Sequence, residues 1–84
     1  MMTFGEWLRI ELTKEDKTMS WMAKRLGVGP SVLTRWRTGT NPRTEHFLKV
    51  CVILADTQKK PINGILESAA KTIGVKINVH KGDN

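Results

Sequence analysis

The chain has a single cysteine, Cys51, in 84 residues, so no internal disulfide is possible and packing alone must hold the fold. That usage fits a reducing compartment, and we expect a cytoplasmic protein. No apolar run approaches the ~18–20 residues that a membrane span requires. The opening residues Met1-Met2-Thr3-Phe4-Gly5-Glu6 carry neither a basic nor an apolar leader segment. Histidine is as scarce as metal-binding spacing: there is no CxxC or HxxxH, and His46 and Cys51, five apart, fall on different faces of a helix. Cys51 reads as a packing thiol, His80 and the Glu15-Asp16 pair as solvated. No glycine-rich phosphate loop and no Ser/His/Asp set is present. The expectation is a protein that is not an enzyme, with no metal, no cofactor and no small-molecule substrate.

Acidic residues are missing from one particular stretch. Between Lys17 and Thr44 stand Lys17, Lys24, Arg25, Arg35, Arg37 and Arg43 without one Asp or Glu, so the whole net charge of +6 sits there and the remainder sums to zero. Segregation of this kind points to a polyanionic partner, because neutralising phosphates and releasing their counterions supplies much of nucleic-acid affinity. A length of 84 residues makes one domain with a small core, marginal unless its helices pack well or it dimerises.

Apolar spacing predicts five short helices. Phe4, Leu8 and Leu12, with Trp7 beside them, place the first over about residues 3–14, ended by Lys14-Glu15-Asp16-Lys17. Thr18 is a good N-cap for a second helix whose apolar face is Met22, Ala23 and Leu26, and Gly27 is a natural residue on which to leave it. Gly29-Pro30 opens a third, since proline suits the first helical position. Leu33 and Trp36 form its inward edge, with Val32 beside them, and Gly39 stops it. A fourth runs over about 43–56 with Phe47, Val50, Cys51 and Leu54 on one face, followed by a polar connection at Thr57–Lys60. The fifth starts near Pro61, buries Ile62, Ile65, Leu66, Ala69 and Ile73, and ends at Gly74. Val75-Lys76-Ile77-Asn78-Val79 alternates with the period of a half-buried strand. The expected architecture is all-α, a compact bundle of about five helices over residues 1–74, with a short C-terminal strand or extended tail over 75–84.

Two short helices joined by Leu26-Gly27-Val28-Gly29 meet the needs of a helix-turn-helix over Thr18–Gly39: glycine for a tight turn, Ala23 for close approach, and Leu26, Val28 and Leu33 to fill the angle. With Leu33 and Trp36 inward, the opposite face of the third helix carries Ser31, Thr34, Arg35 and Thr38 at i, i+3, i+4 and i+7. None is apolar and none acidic. Such a face fits a major groove, where Arg donates two bonds to guanine and Ser or Thr reaches bases or phosphates. The tryptophans Trp7, Trp21 and Trp36 read as packing residues, with Trp21 lying near the expected nucleic-acid side.

The ordered set Leu8-Arg9-Ile10-Glu11-Leu12, Lys17-Thr18, Trp21-Met22-Ala23, Leu26-Gly27-Val28, Leu33-Thr34-Arg35-Trp36, Gly39, Pro42 and Phe47-Leu48-Lys49 resembles the Cro/repressor-type helix-turn-helix domains of phages and bacteria, over about residues 4–56. The resemblance implies a five-helix bundle that binds double-stranded operator DNA, usually as a homodimer, to regulate transcription. It places Pro30, Ser31, Thr34 and Arg35 at base-reading positions. It places Thr18, Met19, Thr38, Thr40 and Asn41 against phosphates, with Ser20 able to stand in for Met19, where the family often has glutamine. Lys17, Lys24, Arg25, Arg37 and Arg43 would add backbone affinity. Arg37 stands where the family often carries the glutamate of an internal ion pair, so its charge is expected to face phosphate instead. A dimer would read two half-sites about 34 Å apart, joined through the tail or the fifth helix. Two other uses of the same fold are an antitoxin-like protein-interaction module and an RNA-binding adaptor.

Overall fold

A computed structural model of the chain describes residues 2–75. They form five helices and, among the described residues, no strand: α1 (Phe4–Lys14), α2 (Met19–Leu26), α3 (Pro30–Arg37), α4 (Thr44–Gln58) and α5 (Ile62–Thr72). The strand expected over Val75–Val79 lies, from residue 76 onward, outside the described residues. No described helix is long and apolar enough to cross a membrane.

The core is one cluster to which every helix contributes. Phe4, Trp7, Leu8 and Leu12 come from α1, Met22, Ala23 and Leu26 from α2, and Leu33 and Trp36 from α3. Phe47, Val50, Cys51 and Leu54 come from α4, and Ile65, Ala69 and Ala70 from α5. Phe4, only 1% exposed, is the hub of an aromatic group. Its ring centroid lies 5.5 Å from Trp7, 5.4 Å and edge-on from Trp36, and 5.8 Å from Phe47. Edge-on and tilted aromatic contacts of this kind add to simple area burial. His46 extends the group outward, its ring 6.0 Å from that of Trp36, so it is a half-buried packing residue.

Each helix end is closed by an amide that reaches back five residues: Lys17 to Leu12, Val28 to Ala23, Thr40 to Arg35, Lys60 to Ala55 and Val75 to Ala70, at 2.9–3.1 Å. Such a bond requires a left-handed or otherwise positive-φ residue just before it. Gly27 (φ 75), Gly39 and Gly74 meet that need, but Asp16 (φ 59) and Lys59 (φ 56) meet it as non-glycine residues. The fourth helix therefore runs two residues past the expected stop at 56. Gln58, the last residue of α4, donates through its side-chain amide to the Glu11 carboxylate at 2.8 Å, tying α4 to α1.

At the amino end, Thr3 and Glu6 form a reciprocal cap. The Thr3 hydroxyl accepts from the Glu6 amide at 3.1 Å, and the Thr3 amide donates to Glu6 Oε1 at 2.9 Å. Directly behind it, Gly5 is buried against the end of α3. A Cβ at Gly5 would lie 2.6 Å from Arg37 Cα and from the Trp36 carbonyl carbon, both backbone atoms. The absence of a side chain at Gly5 is what allows α1 and α3 to touch there.

Candidate nucleic-acid interface

The geometry of α3 follows from its two anchors. Leu33 and Trp36 are 2% and 3% exposed, which turns the remaining arc of the helix to solvent. Pro30, Ser31, Thr34, Arg35, Arg37 and Thr38 are all exposed. Neither α2 nor α3 has an acidic residue in its first turn, and each has two basic residues in its last turn, Lys24 and Arg25 in α2 and Arg35 and Arg37 in α3. The connection between them is three residues, Gly27-Val28-Gly29. Gly27 takes the left-handed conformation that closes α2, half-buried Val28 packs on the core, and Pro30 takes the first helical position of α3.

The hydroxyl groups divide by what they have left to offer. Thr18 caps α2 by accepting from the Trp21 amide at 3.1 Å, so its own proton remains for an acceptor, and phosphate oxygens only accept. On α3 the arrangement is the reverse. The Thr34 hydroxyl donates to the Pro30 carbonyl at 3.3 Å, and the Thr38 hydroxyl to the Arg35 carbonyl at 3.0 Å. With their protons turned inward, both present lone pairs outward, suited to amino donors such as adenine N6 or cytosine N4.

The structure brings together some of the residues singled out in the sequence and separates others. Met19, Ser20, Pro30, Thr34 and Arg37 line one narrow cleft of about 80 Å³, with Leu33 at its base, where the start of α2 meets the outer side of α3. Ser31, Arg35 and Thr38 continue along α3 beside it. Lys24 follows Ser20 by one turn of α2 and is exposed. Thr40, Asn41 and Arg43 are exposed in the loop between α3 and α4. Lys17 and Arg25 stand apart. Both cations lie 5.1 Å from the centroid of Trp21, in a row at i, i+4 and i+8 on a different flank of α2 from Met19 and Ser20. Trp21 thus organises two charges, a role that the alternation of basic and aromatic residues at fourfold spacing makes visible in the sequence.

Arg37 is the residue that sequence reasoning placed least completely. Its side chain borders the cleft, while its carbonyl accepts from the Thr3 hydroxyl at 3.0 Å. It also lines a broader surface hollow with Met2, Glu6, Arg9 and Ile10. The described ion pairs, Lys14–Glu11 at 3.0 Å and Lys49–Glu45 at 4.0 Å, do not involve it. Leu12, 1% exposed, fills the interior. Among the described residues no group of His, Cys, Asp and Glu is placed to hold a metal ion.

Compared with known proteins, the chain matches no family model, no curated protein and no solved structure.

Proposed function

We propose that the protein is a sequence-specific DNA-binding transcriptional regulator of the Cro/repressor type, the kind carried by phages and plasmids. In this reading α2, the three-residue turn and α3 are a helix-turn-helix. The third helix lies in the major groove with Pro30, Ser31, Thr34 and Arg35 toward base edges. Thr18, Met19, Ser20, Thr40 and Asn41 meet the phosphates, Thr38 joins them only by turning its hydroxyl proton away from the Arg35 carbonyl, and Lys17, Lys24, Arg25, Arg37 and Arg43 supply backbone attraction. The partners are a pseudo-palindromic operator duplex and a second copy of the chain, in the cytoplasm.

One observation carries the reading: the exposed arc of α3 bears hydroxyls and guanidinium groups and not one carboxylate or large apolar side chain. A helix face that only met water would gain from acids as much as from bases, and acids are what a groove walled by phosphate rejects.

Selection of duplexes from a random pool tests it, and a pseudo-palindrome should emerge. Arg35→Ala should relax preference at one base step, at ~1–3 kcal/mol, whereas Lys24→Ala should weaken all duplexes about equally. Equal binding of structured RNA and random duplex, with no sequence recovered, would replace this reading by that of an RNA-binding adaptor. Identical behaviour of the two variants would overturn the division of roles.

A further inference from the structure

The outward flank of α4 carries two of the exposed large apolar side chains, the others among the described residues being Met2, Ile10 and Val75. Leu48 and Val52 are 47% and 55% exposed, and half-buried Ala55 continues the row at i+7. The opposite side of the same helix is in the core through Phe47, Val50, Cys51 and Leu54. Charges border the apolar row in a fixed order. Glu45 and Lys49, 4.0 Å apart, lie toward its start, and exposed Asp56, Lys59 and Lys60 lie toward its end.

That order is self-complementary in one arrangement. If two copies of α4 run antiparallel about a two-fold axis near Val52, Val52 meets its own symmetry mate. Lys49 then falls opposite Asp56 of the partner subunit, and Glu45 opposite Lys59 and Lys60 of the partner subunit. A parallel pairing sets Glu45 against Glu45 of the partner subunit and Lys49 against Lys49 of the partner subunit, and like charges would repel. We infer that this flank of α4 is the surface through which two copies of the chain associate, antiparallel and registered by the Lys49–Asp56 pairs.

The size of the surface sets the strength. Fifteen residues of α4 make a helix ~22 Å long, and a face ~10 Å wide spans on the order of 200 Å² per copy. That is about a quarter of the ~800 Å² per partner found in standard interfaces. The free protein therefore dimerises weakly, with a Kd in the micromolar range or above. Two adjacent half-sites on one duplex raise the effective concentration enough to complete the pair. The inference names the contact behind the dimer of the proposed function and rests on that reading for its purpose only, because its test contains no nucleic acid.

Sedimentation equilibrium of the full chain over ~10–500 µM tests it. The wild type should shift from monomer to dimer across that range, and Val52→Asp, at an exposed position, should remain monomeric with unchanged helical circular dichroism. Lys49→Glu and Asp56→Lys should each weaken association about tenfold or more, and the double variant K49E/D56K should recover most of it, because the pair is re-formed with its signs exchanged. A wild type that stays monomeric throughout overturns the inference, as it would if residues of the same chain covered the row. So does a Val52→Asp variant that associates like wild type. Failure of the double variant to recover overturns the antiparallel register. Arg35→Ala, which bears on DNA reading, should leave the dimer unchanged, so the two readings fail separately.

Discussion

The hydroxyl of Thr3 serves two helices at once: it accepts from the Glu6 amide to begin α1 and donates, at 3.0 Å, to the carbonyl of Arg37 that ends α3. An N-cap is worth about 1 kcal/mol, and a hydrogen bond to an otherwise open carbonyl about as much again. Thr3→Ala should therefore cost ~1–2 kcal/mol, and Thr3→Ser should restore most of it. Urea unfolding at unchanged m-value is the check.

Gly5 gives a prediction of opposite sign from the usual one. In the middle of a helix, replacing glycine by alanine ordinarily adds ~0.5–1 kcal/mol of stability. Here the new methyl group would meet the Arg37 and Trp36 backbone, and backbone cannot step aside cheaply. Gly5→Ala should instead destabilise by ~1–3 kcal/mol. A thermal melt at or above the wild-type midpoint would contradict the close approach of α1 and α3.

Lys59 holds φ 56 at the end of α4 without being glycine. An L-residue in that conformation costs ~1–2 kcal/mol, part of which glycine returns through the greater freedom of the unfolded chain. Lys59→Gly should raise stability by up to ~1 kcal/mol in the same urea assay, and Lys59→Val should lower it.

Cys51 is fully enclosed, and burial pushes its thiol up to about 11 from 9.0. Below pH 9 both folded and unfolded chains keep the proton. Between about 9 and 11 the unfolded chain releases it and the folded chain does not, so stability falls across that window and levels off above it. The full loss is on the order of 2–3 kcal/mol. Wild type should lose urea resistance between pH 8.5 and 10.5 more steeply than Cys51→Ala, whose deficit at neutral pH should shrink. Parallel curves for the two would refute the assignment.

Arg37→Ala separates side chain from backbone, since the carbonyl that Thr3 uses remains. Under the proposed function its guanidinium neutralises a phosphate from the edge of the cleft. Losing it should lower the slope of log affinity against log salt by about 1 per subunit with little change in melting temperature. An unchanged slope in duplex titrations at several salt concentrations would remove Arg37 from the interface.

Much of this architecture can be read in the linear chain. The five helices follow from apolar spacing because each buries a single stripe, and Gly27, Pro30, Gly39 and Gly74 mark boundaries by their backbone chemistry. The exposed arc of α3 follows in turn from the inward pull of Leu33 and Trp36. What escaped depended on contacts between distant residues. The last two residues of α4 include Gln58, whose side chain is tied to Glu11, 47 positions away. The left-handed turns at Asp16 and Lys59 use residues that carry no mark of the conformation. Ala70 is fully buried, yet a methyl group is too small to signal a face. The need for Gly5 became visible only with α3 laid against it. At the candidate site, residue types predicted exposure but only part of the grouping: the fourfold spacing of Lys17, Trp21 and Arg25 aligns them, whereas the cleft that joins Met19 and Ser20 to Pro30, Thr34 and Arg37 forms only once α2 lies against α3.

The aromatic hub has a consequence for how the molecule is made. Phe4 leaves the ribosome more than thirty residues before its neighbours Trp36 and Phe47 emerge. Until then the first helix has no surface to settle on and must wait as a fluctuating segment. The final lock, threonine on the end of α3, closes only after synthesis has passed Arg37. Any nascent chain stalled short of Phe47 should be open to proteases from α1 onward.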